Sequence, residues 1–117
     1  MTHAKLQTLG KKWQSRLKLA DWDVSFSFAP LRDMDESAGL VRLDTEGRRA
    51  MVLILAKEDY PDSWWPIDIE WTLVHELVHI VIRPIESGTE SRDTLENAVN
   101  SLTAGLLDRT QVRYNLG

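Results

Sequence analysis

Residues 73–82 form the segment that most restricts what this chain can fold into. Apolar side chains recur on nearly every side of a helix drawn through it, so the helix must be enclosed by the rest of the protein. Three polar side chains interrupt the apolar surface, namely His75, Glu76 and His79. Burying two imidazoles and a carboxylate is costly unless they have partners. The sequence therefore predicts a central helix whose polar cluster serves a purpose.

The spacing of this cluster is that of a metal site. Residues four apart share a helix face, so His75 and His79 present their imidazoles one turn apart and can hold a single zinc ion. Glu76 projects beside them, where it can take a proton from a water molecule at the metal. This is the HExxH arrangement of zinc metallopeptidases. We expect zinc as cofactor, His75 and His79 as ligands, and Glu76 as the catalytic base.

A third protein ligand is needed, because catalytic zinc sites generally use three. No histidine follows His79, and His3 is remote, so the candidates are the downstream carboxylates Glu86, Glu90, Asp93, Glu96 and Asp108. Glu96 is favoured because it lies on a predicted helix, beside the apolar stripe that packs inward. Asn100 shares its face one turn later. We predict Glu96 as the ligand and Asn100 as the partner of a ligand histidine's free ring nitrogen.

Composition limits the other classes of function. The 117 residues fit one domain, and the net charge of −4 with no basic stripe argues against nucleic acid as a partner. The absence of cysteine excludes disulfides and thiolate ligands. Neither a signal-peptide pattern nor a run long enough to span a membrane is present. We expect a soluble, cytoplasmic protein; nothing in the pattern indicates its oligomeric state.

Hydrophobic periodicity predicts an α+β fold with helices and a small sheet. The predicted elements are a helix at about 4–19, strands at 22–28, 39–44 and 50–56, a helix from Pro66 to Arg83, and a last helix with Leu95, Val99, Leu102 and Leu106 as core stripe. Strands 39–44 and 50–56 are expected to pair as a hairpin within a three-stranded sheet. Either Ser87 with Glu90, or Ser91, is expected to cap the last helix.

The motif and its surroundings resemble a known family. His75-Glu76-Leu77-Val78-His79, followed by Glu96 and Asn100 on a later helix, looks like the gluzincin pattern of zinc peptidases. The order of elements is similar to that of the small ImmA/IrrE-like and minigluzincin metallopeptidases of bacteria and phages. The resemblance implies one minimal zincin-like metallopeptidase domain over residues 1–117. It also implies an endopeptidase that hydrolyses an intracellular protein or peptide substrate.

Two features are expected to bind that substrate. In zincins the substrate lies extended along an exposed strand edge above the metal, which is recognition by strand addition. The edge expected here is strand 39–44, where Gly39 would let another backbone approach. Trp64 and Trp65, just before the metal-binding helix, are expected to line a side-chain pocket.

An alternative function remains open on the sequence. A catalytically weak or inactive zincin-fold protein could act as a protein-binding regulator, since a short chain has little room for a deep cleft. Larger gluzincins use an extra histidine or tyrosine to steady the oxyanion, and neither Tyr60 nor Tyr114 lies in a recognisable context. A purely structural zinc is disfavoured, because structural sites normally close all four positions with protein ligands.

Overall fold

The computed structural model describes residues 1–64 and 66–109 as an α+β fold, in which helices pack on a three-stranded mixed sheet. The elements are α1 (His3–Arg16), β1 (Asp23–Ala29), β2 (Gly39–Asp44), β3 (Arg49–Leu55), α2 (Ile69–Ile82) and α3 (Arg92–Leu106). Single 3-10 turns lie at Leu31–Asp33, Lys57–Asp59 and Arg83–Ile85. The predicted fold class and strand number are confirmed. Within the described ranges, each helix is too short or too polar to cross a bilayer.

The sheet has the order β1-β3-β2, so β3 is its central strand. The predicted hairpin is confirmed: β2 runs antiparallel to β3 and pairs Gly39 with Ile54. β1 runs parallel to β3 on the other side and places Asp23 opposite Arg49. A central strand covered on both faces explains why this segment is a continuous apolar run. β2 is left as an edge strand.

Two apolar clusters cover the two faces of the sheet. The larger lies between the sheet and the helices, and its members include Leu6, Trp13, Val24, Phe26, Val52, Ile54, Leu73, Val74, Leu77 and Ile80. The smaller lies on the opposite face, where Ala29, Met34, Leu53 and Leu55 pack with Leu40, Tyr60 and Trp64. Most of α2 is buried within the larger cluster, as its apolar sequence predicts. The polar cluster of α2 is thereby held by a rigid core.

The start of α2 differs from its prediction. The helix begins at Ile69 rather than at Pro66, because Asp68 serves as its N-cap and its Oδ1 accepts a hydrogen bond from the Trp71 amide at 3.0 Å. The other carboxylate oxygen of Asp68 accepts from the Arg109 guanidinium, which joins the chain after α3 to the start of α2. One aspartate therefore stabilises both helices that carry the site.

The orientation of α3 also corrects a prediction. Leu102 and Leu106 were expected in the core, yet they are 48% and 43% exposed. The buried face instead runs through Val99, Asn100, Thr103 and Ala104. The helix is turned so that its partly polar face meets α2, which brings Glu96 inward and carries the two leucines aside. Ser91, one of the two proposed caps, begins this helix and accepts from the Thr94 amide at 3.1 Å.

Replacing Asp68 separates its two contributions to stability. Asp68→Ala removes both the cap and the ion pair and is expected to lower the free energy of unfolding by about 1–2 kcal/mol. Asp68→Asn keeps a good cap but loses the charge that faces Arg109, so it should lose less. Urea unfolding of the two variants and the parent measures the difference. Equal stability of Asp68→Ala and the parent would contradict the capping assignment.

Candidate metal centre

The two histidines of α2 lie side by side as their spacing predicts. The ring centroids of His75 and His79 are 5.0 Å apart, with the ring planes at 69°. The His75 side chain is fully buried, whereas that of His79 is 17% exposed. Of the two histidines, His79 is therefore the one that reaches solvent.

Glu96 completes the group from α3. Its Oε2 lies 3.0 Å from Nε2 of His75, and its Oε1 lies 3.1 Å from Nε2 of His79. One ligand atom from each of the three residues falls within 4.8 Å of the others. Because α3 packs against α2, two rigid helices hold the three side chains together. The His75–His79–Glu96 group could bind a metal ion.

The side chains of this group are compatible with a zinc ion. The separations of 3.0 and 3.1 Å join His75 and His79 to the two different carboxylate oxygens of Glu96. The Glu96 Oε2 atom is buried and lies 3.0 Å from Nε2 of His75. Two imidazoles and a carboxylate are also a donor set that zinc commonly takes. The residues present therefore fit this ion.

The charge state of Glu96 suits a ligand. Partial burial by itself raises the pKa of this carboxyl, but its polar contacts with His75 and His79 outweigh burial and lower the pKa to about 2. Glu96 is therefore ionised across the physiological range, and a metal would not have to displace a proton from it.

Glu76 has the opposite environment. Its side chain is 2% exposed, and its Oε2 lies 3.9 Å from Nε2 of His75 without a hydrogen-bond partner in the described chain. Burial raises the pKa of Glu76, although the charges of His75 and His79 act against the rise. A buried carboxylate with unused hydrogen-bonding capacity lowers stability, and such groups are concentrated at functional sites.

This cost predicts a pH-dependent gain in stability for Glu76→Gln in metal-free protein. The raised pKa means that protons favour the folded state, so ionised Glu76 destabilises the fold above its pKa. The glutamine variant should match the parent near pH ~4 and exceed it by about 1–3 kcal/mol at pH ~8. Thermal unfolding with a chelator present measures this, at roughly 4–8 °C per kcal/mol. A gain that shrinks as pH rises would contradict it.

Gly39, the first residue of the edge strand β2, lies against Glu76. A Cβ atom added to Gly39 would lie 2.5 Å from Thr72 Cγ2 and 2.8 Å from Glu76 Oε2. The residue is buried, so the close approach that it permits is that of α2 to the start of β2. The approach of a substrate backbone to Gly39 stays a prediction. Thr72 precedes Glu76 by one helical turn, a neighbour that helical spacing could have identified.

The remaining candidate carboxylates lie outside the ligand group. Glu86 pairs with Arg83 at 3.4 Å. Glu90 accepts from the amides of Ser87 and Gly88 and from the Ser87 hydroxyl, and these hydrogen bonds lower its pKa to about 2. Asp93 and Asp108 are exposed. Of the five downstream carboxylates, the structure thus brings Glu96 alone to the histidines.

The predicted contact of Asn100 with a ligand histidine stays a prediction, whereas Trp64 lies away from the metal centre. Asn100 is buried as expected, but its Oδ1 makes no hydrogen bond within the part of the chain that the structure describes. Trp64 packs edge-on against Tyr60 at 5.4 Å, in the smaller cluster on the far face of the sheet. That packing keeps Trp64 and Tyr60 away from the metal centre. Trp65 and Tyr114 lie outside the described residues.

A cleft of about 210 Å³ adjoins the metal centre. The edge strand β2 forms one wall and the helices form the other, and the lining residues are Leu40, Val41, Leu43, Glu76, His79, Arg83, Glu86, Arg92 and Glu96. Sequence reasoning missed the two arginines in this lining. Arg92 precedes Glu96 by four residues, so helical spacing alone places them on one face.

Comparison with known proteins gives no relative for this chain. No protein-family model, no curated protein sequence and no solved structure matches the chain.

Proposed function

We propose that this protein is a zinc-dependent endopeptidase of the zincin type, with His75, His79 and Glu96 as metal ligands. The convergence of these three side chains beside Glu76, at the wall of an open cleft, carries the proposal. The short distances from Glu96 to both histidines and the burial of its Oε2 atom support it. The proposed substrate is a protein or peptide.

The chain's own residues have distinct roles in this reaction. A bound zinc ion would supply Lewis-acid chemistry, which activates water and polarises a carbonyl group. Glu76 takes the proton of the attacking water and then delivers it to the leaving amine nitrogen.

The edge strand β2 supplies the proposed peptide-binding surface. Leu40, Val41 and Leu43 line the cleft, and β3 pairs with only one side of β2. Unpaired backbone groups along such an edge can add an extended peptide as a further strand. Peptide bound this way passes beside Glu76 and His79, which line the same cleft.

The direct test combines metal loading with hydrolysis. Protein reconstituted with one equivalent of zinc should cleave an unfolded substrate such as casein, and a chelator should abolish the cleavage. Readdition of zinc should restore it. A chain that binds zinc but cleaves neither casein nor a broad peptide mixture would favour the protein-binding regulator, for which the small volume of the cleft is the supporting observation.

Gly39→Ala is expected to weaken catalysis through Glu76. The added methyl group must displace the carboxylate or Thr72, and a shift of about 1 Å in a catalytic group can lower the rate roughly a hundredfold. Overpacking should also lower stability by about 1–3 kcal/mol. The rate of hydrolysis per folded, zinc-loaded molecule is the measurement.

Gly10→Ala is the matched control for Gly39→Ala. A Cβ atom at Gly10 would lie 2.6 Å from the Phe26 ring, so this variant carries a similar steric penalty. The clash occurs between α1 and β1 in the core. It should lose stability while keeping the parent's hydrolysis rate. Equal hydrolysis rates for Gly39→Ala and Gly10→Ala would contradict the role of Gly39 in positioning Glu76.

A further inference from the structure

We propose that Arg92 forms a carboxylate-recognition subsite in the cleft, so that the preferred substrate carries an acidic group close to the bond that is cleaved. This inference rests on the proposed peptidase function and adds the substrate class. Arg92 is the first residue of α3, is exposed, and lines the cleft together with Glu96 one turn later. Its guanidinium is therefore available to a bound peptide.

The surrounding carboxylates are already engaged. Glu86 pairs with Arg83, Glu90 accepts hydrogen bonds from Ser87 and its neighbour, and Glu96 contacts the two histidines. No carboxylate of the described residues forms an ion pair with Arg92. Of the two arginines in the lining, Arg92 is thus the one that can accept an anion without giving up a partner.

The position of Arg92 on its helix adds to this argument. The N-terminus of a helix carries a partial positive charge, which disfavours a cation there and attracts anions. An arginine as the first residue of α3 therefore lowers helix stability while strengthening the positive potential at that end of the cleft. A residue that is unfavourable for the fold but faces the cleft is expected where binding requires it.

The opposite wall sets the shape of the ligand. Val41 and Leu43, which pack on the helix side of the sheet, line the cleft from β2, and Arg92 lines it from α3. A glutamate side chain, with an apolar stem and a carboxylate tip, matches both surfaces. The same carboxylate chemistry is offered by the free C-terminus of a peptide, and the experiment distinguishes these two sources.

Binding, rather than turnover, gives the sharpest test. Short peptide pools that differ only in glutamate or glutamine at one fixed position are incubated with the Glu76→Gln protein, both zinc-loaded and metal-free. Retained peptides are quantified by mass spectrometry. Each pool is made with a free and with an amidated C-terminus. We expect the acidic pool to bind about threefold to tenfold more tightly at one position, less so when salt is raised from about 50 to 500 mM.

Two arginine variants identify the origin of the preference. Arg92→Gln should bring the ratio between acidic and neutral pools to about one, whereas Arg32→Gln removes the same charge from an exposed 3-10 turn outside the cleft lining and should leave the ratio unchanged. Zinc content is measured for both variants, so that a disturbed metal centre is not mistaken for a lost subsite.

Each outcome decides the subsite separately from the enzyme. A preference for internal glutamate that requires Arg92 assigns a side-chain subsite, and one confined to free C-termini assigns a terminal carboxylate. No preference at any position, or one that survives Arg92→Gln, overturns the inference while hydrolysis stands. Arg92-dependent acid binding in a protein that holds no zinc or cleaves nothing would instead overturn the proposed function and retain the subsite.

Discussion

Zinc affinity is expected to fall by at least about a hundredfold when Glu96 is replaced by alanine, since loss of an outer-shell partner alone commonly costs 10- to 100-fold. Glu96 contacts both histidines at 3.0 and 3.1 Å, so its removal leaves two protein ligands. His75→Ala should have an effect of the same order. Because Glu96 is ionised well below neutral pH, Glu96→Gln should lose nearly as much as alanine.

The measurement is metal content by elemental mass spectrometry, followed by competition with a chromophoric chelator to obtain the dissociation constant. Asp93→Asn is the matched control, because it removes an exposed carboxylate from the first turn of the same helix. It should retain one zinc per chain with the parent's affinity. If Glu96→Ala kept the zinc affinity of the parent and Asp93→Asn lost it, the third ligand would be Asp93 rather than Glu96.

Thermal unfolding provides a second test of Glu96 as a zinc ligand. A ligand that binds only the folded state stabilises it according to its concentration relative to the dissociation constant, by about 4 kcal/mol at a thousandfold excess. Zinc should therefore raise the unfolding temperature of the parent and of Asp93→Asn. Glu96→Ala should respond little. Equal stabilisation of all three proteins would show that zinc binds elsewhere.

Glu76→Gln is expected to abolish hydrolysis while the metal is retained. General acid–base catalysis contributes about 10²–10⁴-fold, and an amide can neither accept the proton of the attacking water nor deliver one to the leaving nitrogen. Glu76 lies 3.9 Å from the His75 ring nitrogen and outside the ligand group, so zinc affinity should change little. The loss should appear in kcat rather than in KM, because the substrate contacts are kept.

The control for Glu76→Gln is Glu46→Gln, which removes an exposed carboxylate from the turn between β2 and β3. It should match the parent in rate and metal content. Hydrolysis rates are compared per zinc-bound molecule, so that the expected gain in stability of Glu76→Gln does not affect the comparison. Full activity in Glu76→Gln would refute its role as base. Absent activity in every protein, with zinc bound, would favour the regulator instead.

Local sequence was sufficient for the elements that repeat a simple pattern. The α2 cluster followed from four-residue spacing in an apolar segment, and the hairpin followed from two apolar strands joined by a short turn. Glu96 was selected over four other carboxylates because it lay beside an inward stripe on a helix. The first two inferences use distances within one element or between adjacent strands, which backbone geometry determines. The choice of Glu96 used a predicted stripe in which Leu102 and Leu106 are exposed, so only the packing of α3 on α2 could establish its contacts.

Packing between distant segments decided what local patterns could not. The sequence has no signal for placing β1 parallel to β3, since that pairing joins residues more than twenty apart. The start of α2 depended on Asp68, which caps the helix by accepting a hydrogen bond from the Trp71 amide. This cap outweighed the preference of Pro66 for the first turn of a helix. The outer leucines of α3 became exposed because Glu96 and Asn100, not they, face α2.

By itself, then, the sequence determined the buried helix, its two histidines and glutamate, and a short choice of third ligands, because helical periodicity fixes which side chains share a face. The tertiary structure alone decided that Glu96 meets both histidines, that Gly39 lies against Glu76, and that Trp64 packs on the far side of the sheet. It also placed Arg92 in the cleft. These contacts join elements far apart in the chain, and their selection depends on how the whole core packs.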